Sequence, residues 1–305
     1  MEYYNYADVK NFIFDKDLQK LLCVDRDFDA LLSYLIREDF LEIDEALRIP
    51  FFAETRDYVG AREKDDPDAI WIVRPVMGDD IIQTEMATIC FFIDFYTHSP
   101  SAPIVITRIN GRPFKATKLI TKAEQLSGAN YTEDKQLKEQ LLLDIINRWI
   151  YFDEDRNPNN YMIKYNSKNN QIIIAIDFLY VDLIASEVKI EGLSDRFGWE
   201  KKEKTRYLTP LKSENWLDYS IDFYNLRFNY FNELKITFLE DNCKKILRWN
   251  IDRDDLSKLI ARNLVNRVKY LYSYFKSHIS GEAIKKKKEK YRTMGETFGK
   301  FYGDD

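Results

Sequence analysis

The sequence predicts an α+β protein in two lobes, a small mixed sheet-and-helix lobe followed by a mostly helical one. Three observations carry this. IWIVRPV (70–76), the long amphipathic run DIIQTEMATICFFIDFYT (80–97) and a strand pair around Asn110-Gly111 give one small sheet with one long helix. LKEQLLLDIINRWIYF (137–152) is apolar around most of its turn, as a helix central to a core would be. After Asp177 the pattern turns helical through about 280. A lobe boundary falls at SPSAP or SGANY, dividing the chain into about 1–125 and 126–305.

Element by element, residues 1–50 read as a helical lead-in. FDALLSYLIREDFLEIDEAL spaces its apolar residues by three and four, and Pro50 ends the run. KDDPD (64–68) is a turn, and Pro75 limits the strand at 70–76. PIVITRI (103–109) and RPFKATKLI (112–120) flank the Asn-Gly turn, the strongest short hairpin signal. Residues 132–152 are helical, DEDRNPNN is a loop, and YMIKY and IIIAI are strands joined by NSKNNQ. The clearest late helices are DYSIDFYNLRFNYFNEL and DDLSKLIARNLVNRVKYLYSYFKSHI.

The chain has 305 residues, 45% hydrophobic and 32% charged, with ten glycines and eight prolines, the balance of a folded domain. A net charge of -5 repels nucleic acid, so none is expected as a partner. The basic run KKKKEK (285–290) reads as a solvated helix face. Cys23, Cys90 and Cys243 are odd in number and far apart, which fits a reducing cytoplasmic setting. His98 and His278 cannot build a multi-histidine zinc site, and no C-x-x-C occurs. No run reaches the roughly 20 apolar residues a membrane helix needs, and MEYYNYADVK lacks the form of a signal peptide.

The segment 151–177, YFDEDRNPNNYMIKYNSKNNQIIIAID, concentrates the chemistry. An Asp, an Asn five residues on, and an Asp closing a strand hairpin suit a site for ATP and magnesium. Asp155 would orient the acceptor hydroxyl, with Asn160 and Asp177 as hard oxygen ligands for the metal. Arg156 and Asn157 would position the loop or touch phosphate, and Asp153 is a spare carboxylate. The plainer reading is a surface turn, since Asp, Asn and Pro fill such turns without any function. For the phosphate cation, Arg74 at a strand end and Glu85 early in the next helix form a candidate ion pair. Lys115 and Lys118 are rival phosphate contacts that read more naturally as surface lysines. No G-x-G-x-x-G and no P-loop occurs, and VGARE (59–63), with Gly60, is the candidate phosphate-covering turn. Asp94 and Asp182 read as caps or solvated groups, Asp182 with a second role as a partner of Asp177.

WIVRP (71–75), Glu85, APIV (102–105), DRNPNNYMI (155–163) and AIDF (175–178) together resemble the bacterial kinases related to the HipA persistence toxin. More distantly, they resemble the type II phosphatidylinositol 4-kinases. The resemblance extends loosely from about 60 to 275. It implies a bilobed, atypical protein-kinase-like fold using ATP and Mg. In it Asp155 is the catalytic base, Asn160 and Asp177 are magnesium ligands, and Arg74 and Glu85 are the lobe-spanning pair. It further implies a protein Ser/Thr substrate and an antitoxin-like partner. The chain departs from the family in carrying Arg74 where Lys is usual, and Glu154 with Arg156 or Asn157 around the catalytic Asp where His is usual.

Two alternatives stand beside a kinase. One is a pseudokinase or nucleotide-binding scaffold without turnover, favoured by Arg74 and the missing glycine-rich loop. The other is a magnesium nuclease using Asp177, Glu187 and Lys189. Against the nuclease, VDLIASEVKIEGL reads as helix rather than the required strand, and the acidic charge balance is wrong for DNA.

Overall fold

The computed structural model describes residues 15–49, 57–153, 155, 157–178, 180–185 and 217–301, with side chains to 280. Helices α1 (Lys16–Leu21) and α2 (Phe28–Leu35) lead in, and Asp27 caps α2 by accepting from Ala30 N at 2.8 Å. The helical lead-in expected through 50 breaks after α2. Leu41–Ile43 is instead a strand, β1, paired antiparallel with Val59–Glu63 (β2). The apolar residues of FLEI fit either period over so short a run, and an open strand edge decides for β. Residues 1–14 and 50–56, with Pro50, lie outside the described residues.

The sheet continues with β3 (Asp66–Pro75), β4 (Ile104–Ile109) and β5 (Arg112–Lys118) in the antiparallel order β1-β2-β3-β5-β4. Asn110 and Gly111 both take positive φ, 51° and 78°, as a tight hairpin requires. Trp71 and Val73 are buried on one face of β3, while Ile72 and Arg74 lie half-buried on the other. Helix α3 (Asp79–Tyr96) covers the sheet, packing mainly on β4.

Helix α4 (Lys135–Ile150) follows, capped by Asp134, which accepts from Leu137 N at 3.1 Å. Then come a short 3-10 turn at Pro158–Asn160 and the hairpin β7 (Tyr161–Tyr165) and β8 (Gln171–Ala175), joined at the edge by β6 (Glu124–Gln125). Helices α5 (Ile221–Glu233), α6 (Ile236–Ile246) and α7 (Arg253–Phe301) complete the chain. Helix α7 runs well past its expected end near 279, and KKKKEK lies on that extension. Residues 186–216, with Glu187 and Lys189, are outside the described residues. Among those described, no helix is long and apolar enough to cross a membrane.

The junction between sheet and helices is tied twice. Ala102 N donates to Ala175 O at 2.9 Å, and Ala175 N donates to Pro100 O at 3.0 Å, so β8 is bridged directly to the strand leading into β4. Leu18 of α1 and Leu22 just after it seal this seam against Ala102, Ile120, Ile172 and Ile174. Deeper lies a buried charge cluster. Arg148 of α4 contacts Asp94 of α3 through Nη2 and donates from Nε to Asp144 Oδ1 at 3.1 Å. Asp94 also accepts from Asn147 Nδ2 at 2.8 Å and Tyr151 OH at 2.9 Å. Asp144 accepts from Ser99 Oγ at 2.9 Å and Tyr161 OH at 2.7 Å. Asp94 is thus neither a cap nor a solvated group. Its helix is apolar on all sides at that point, and only an arginine on the facing helix makes a buried carboxylate tolerable there.

Replacing Arg148 with Met would leave two buried carboxylates without their cation. The variant is expected to lose about 3–5 kcal/mol of stability, read as a lowered urea midpoint with unchanged slope.

Candidate functional site

The loop after α4 is built by its own polar side chains. Asp153 N donates back to Arg148 O at 3.0 Å, ending the helix, and Phe152 turns the chain with φ 51°. Asn157 Oδ1 accepts from Asn159 N at 2.9 Å and starts the turn Pro158–Asn160, while Asn157 Nδ2 donates to Asp155 Oδ1 at 2.8 Å. Asn160 Nδ2 donates to Asp155 O at 2.5 Å. The Asn-rich composition therefore does form a turn, and that turn holds the Asp155 carboxylate in place. Glu154 and Arg156 lie outside the described residues.

The hairpin brings the third residue to this loop. Tyr161 pairs with Ala175 across β7 and β8, so Asn160 lies opposite Ile176, and Ile176 N donates to Asn160 O at 2.9 Å. Asp177 follows immediately, in the left-handed region at φ 57°, which Asp tolerates better than most residues. The turn drives Phe178 into the core, where its ring lies 4.9 Å from the Arg148 guanidinium carbon. The structure thus brings Asp155, Asn160 and Asp177 onto one hydrogen-bonded unit.

A cavity of about 590 Å³ opens beside that unit. Its walls are Ile72, Lys115, Thr117 and Lys118 from the sheet, residues 119–123 between the sheet and β6, Met162 and Ile176 below, and Asp177 at one end. Arg48, Ile49 and Tyr58 line it from the connection between β1 and β2. Lys115 Nζ lies 3.7 Å from Asp177 Oδ1, with the lysine almost wholly buried. Lys115 is therefore no surface residue, and the ion pair in the cavity is Lys115–Asp177. Alternation alone puts Lys115 on the face opposite Phe114 and Ala116, so nothing local in the sequence marked its burial. Lys118 is also buried, on the opposite face, 3.5 Å from Glu63 and 3.2 Å from the Tyr34 hydroxyl.

Arg74 and Glu85 do not pair. Arg74 is the cross-strand neighbour of Lys115 and lies 3.8 Å from Asp80 at the start of α3. Its Nε is buried without a hydrogen-bond partner among the described residues. Glu85 sits a turn farther along α3 and accepts from Trp249 N at 2.9 Å and from the Asn250 side chain, both in the turn after α6. A strand-end cation and a carboxylate early in the next helix suggested a pair, but a helix that begins at Asp79 places Asp80 nearest the strand end. VGARE likewise is strand β2, not a covering turn. Gly60 pairs with Ile72 inside that strand, and a side-chain carbon there would meet Leu47 at 2.7 Å. Arg48 and Ile49, just after Leu47, are the residues there that line the cavity, with Tyr58 before β2. Asp182 accepts from Ile184 N at 3.0 Å and Ala185 N at 2.9 Å and so shapes the segment after Asp177.

Among the described residues, no group of three His, Cys, Asp or Glu could hold a metal ion. Asp177 and Asn160 offer one carboxylate and one amide oxygen, which suits magnesium, since that ion keeps waters and takes further oxygens from bound phosphates. Lys115 beside Asp177, and the unsatisfied Arg74 Nε on the neighbouring strand, suit an anion between them.

The chain matches no protein-family model and no curated protein by sequence. Among solved structures, the crystal structure of the Helicobacter pylori proinflammatory kinase CtkA superposes at a TM-score of 0.48 with 10% identity, over 80% of this chain and 98% of that one. That similarity assigns neither family nor activity.

Burial pushes the Glu85 carboxyl up to about 7, against the Trp249 N–H and Arg248, which favour its charged form. The folded chain then binds a proton that the unfolded chain has lost, between the ordinary carboxylate range and about 7. Stability is expected to fall by about 2–3 kcal/mol as pH rises through that interval and then level off. Glu85→Gln is expected to flatten this slope, as read from urea midpoints at several pH values.

Proposed function

We propose that this protein is an ATP- and Mg-dependent phosphotransferase. The observation that carries the reading is the Lys115–Asp177 pair at the end of a 590 Å³ cavity, with Asn160 fixed beside it and Asp155 fixed to Asn160. Phosphoryl transfer asks a protein chiefly for position and charge, and these groups supply both kinds. Bound Mg·ATP would supply the phosphoryl group and the cation that neutralises it. In the chain itself, Lys115 and Arg74 hold phosphate oxygens, and Asn160 and Asp177 hold the metal. The half-apolar walls from Ile72, Met162 and Ile176 take the base. Asp155 orients the acceptor hydroxyl and receives its proton, with its carboxylate steadied by Asn157.

The acceptor is a protein Ser or Thr hydroxyl and the partner antitoxin-like. Both assignments follow from the resemblance of DRNPNNYMI and AIDF alone. The division into a lobe of about 1–125 and one of 126–305 belongs to the same reading. A cytoplasmic setting is supported by three buried cysteines that form no disulfide. The nucleotide-binding scaffold without turnover remains the second reading, favoured by one observation: Glu85 is held by Trp249 and Asn250 rather than by a cation of the cavity.

Incubation with labelled Mg·ATP tests both. The wild-type chain is expected to label itself or an added protein. Asp155→Ala is expected to bind Mg·ATP within about threefold of wild type and to lose transfer by about 100-fold or more. Asp177→Asn keeps a residue that accepts left-handed backbone and is expected to lose magnesium-dependent ATP binding. Full-rate transfer by Asp155→Ala would remove its role as base. ATP binding without any transfer would establish the scaffold.

A further inference from the structure

Helix α7 reaches the site through two buried side chains that none of the chemistry above uses. Arg267, almost wholly buried, donates from Nη1 to Ile150 O at 3.0 Å and to Asp182 O at 2.7 Å, and from Nη2 to Ala185 O at 2.6 Å. Its guanidinium carbon lies 3.6 Å from the centre of the Phe152 ring. One turn earlier on the same face, Asn263 Nδ2 donates to Leu183 O at 3.1 Å and Ile184 O at 2.9 Å. Asp182 N in turn donates to Tyr151 O at 3.0 Å.

These contacts join two chain segments that the site needs in register. Residues 150–152 lead into the Asp155 loop, and residues 182–185 lead away from Asp177. Ile150 carries the last carbonyl of α4, which has no partner within its own helix. A guanidinium satisfies it and reaches the second segment with the same planar group, which a lysine's single ammonium cannot do. The β7–β8 pairing fixes Asp177 to Asn160 from one side, and the α7 contacts fix the two flanking segments from the other.

We propose that Arg267, assisted by Asn263, is a positioning residue that sets the Asp155 loop against the segment following Asp177. The inference rests on the phosphotransferase reading for its kinetic consequence but not for its structural one. It makes the orientation of the acceptor, rather than the binding of nucleotide, depend on a helix outside the cavity. Arg267 is absent from the cavity walls, so its loss reaches ATP only through the two segments.

The test compares the full-length chain with Arg267→Lys and Asn263→Ala, below the melting temperature of each. Arg267→Lys is expected to lower kcat by about tenfold or more while KM for Mg·ATP stays within about twofold. Asn263→Ala is expected to lower kcat in the same direction and by less. Hydrogen exchange supplies an arm independent of catalysis. In Arg267→Lys the amides of Asp153, Asp182, Ile184 and Ala185 should exchange faster together, while those of β7 and β8 keep their protection. If wild type transfers no phosphate, the phosphotransferase reading fails, and the exchange arm alone decides the coupling of the two segments. Unchanged exchange, exchange that rises in one segment alone, or exchange that rises throughout the chain would overturn the inference. So would a kcat loss matched by an equal rise in KM.

Discussion

The site depends on one buried interaction, the contact of Arg148 with Asp94 and Asp144. None of the three side chains is exposed to any extent that water could compensate. Removing two carboxylates and a guanidinium from water costs several kcal/mol for each ion, so their attraction is weak evidence of net stability. What the cluster provides is a fixed geometry. Asp94 belongs to the helix that covers the sheet, and Arg148 and Asp144 to the helix that precedes the Asp155 loop. Tyr161, the first residue of the hairpin, donates to Asp144, and Phe178 lies against Arg148 directly after Asp177. The same three charges therefore determine where the sheet, the loop and the hairpin end stand relative to one another.

That arrangement explains why the cation of the cavity comes from β5. Arg74 and Lys115 are partners across neighbouring strands, and both project from the half-buried face of the sheet. Lys115 lies one strand nearer the β7–β8 hairpin, because β5 runs directly into the 119–123 connection beneath which the hairpin sits. Glu85, one turn too far along its helix, meets the turn after α6 instead. A strand cation and a helix carboxylate are both present, but the backbone gives them separate partners.

Much of this was legible in the sequence. The strand at 70–76, the helix at 80–97, the Asn-Gly hairpin and the 137–152 helix follow from period and turn chemistry, which are local. The juxtaposition of Asp155, Asn160 and Asp177 was legible too, because a short hairpin between Asn160 and Asp177 must return its end to its start. What was not legible depended on partners distant in the chain. Strand β1 exists because β2 offers an open edge 16 or more residues later. The burial of Asp94 and Lys115 follows from Arg148 and Asp177, neither of which lies in the same local pattern. The role of Gly60 was misplaced for a related reason: a lone glycine marks close approach as readily as a turn, and here Leu47 makes that approach.

The two backbone bonds from Ala175 to Pro100 and Ala102 carry a consequence for access. They form a second tether between sheet and helices, in addition to the 119–123 connection, and α1 is packed across the seam. Swinging the two halves apart would strand two buried peptide groups without partners. The seam therefore acts as a clasp, and parting the sheet from the hairpin is a costly motion for this chain.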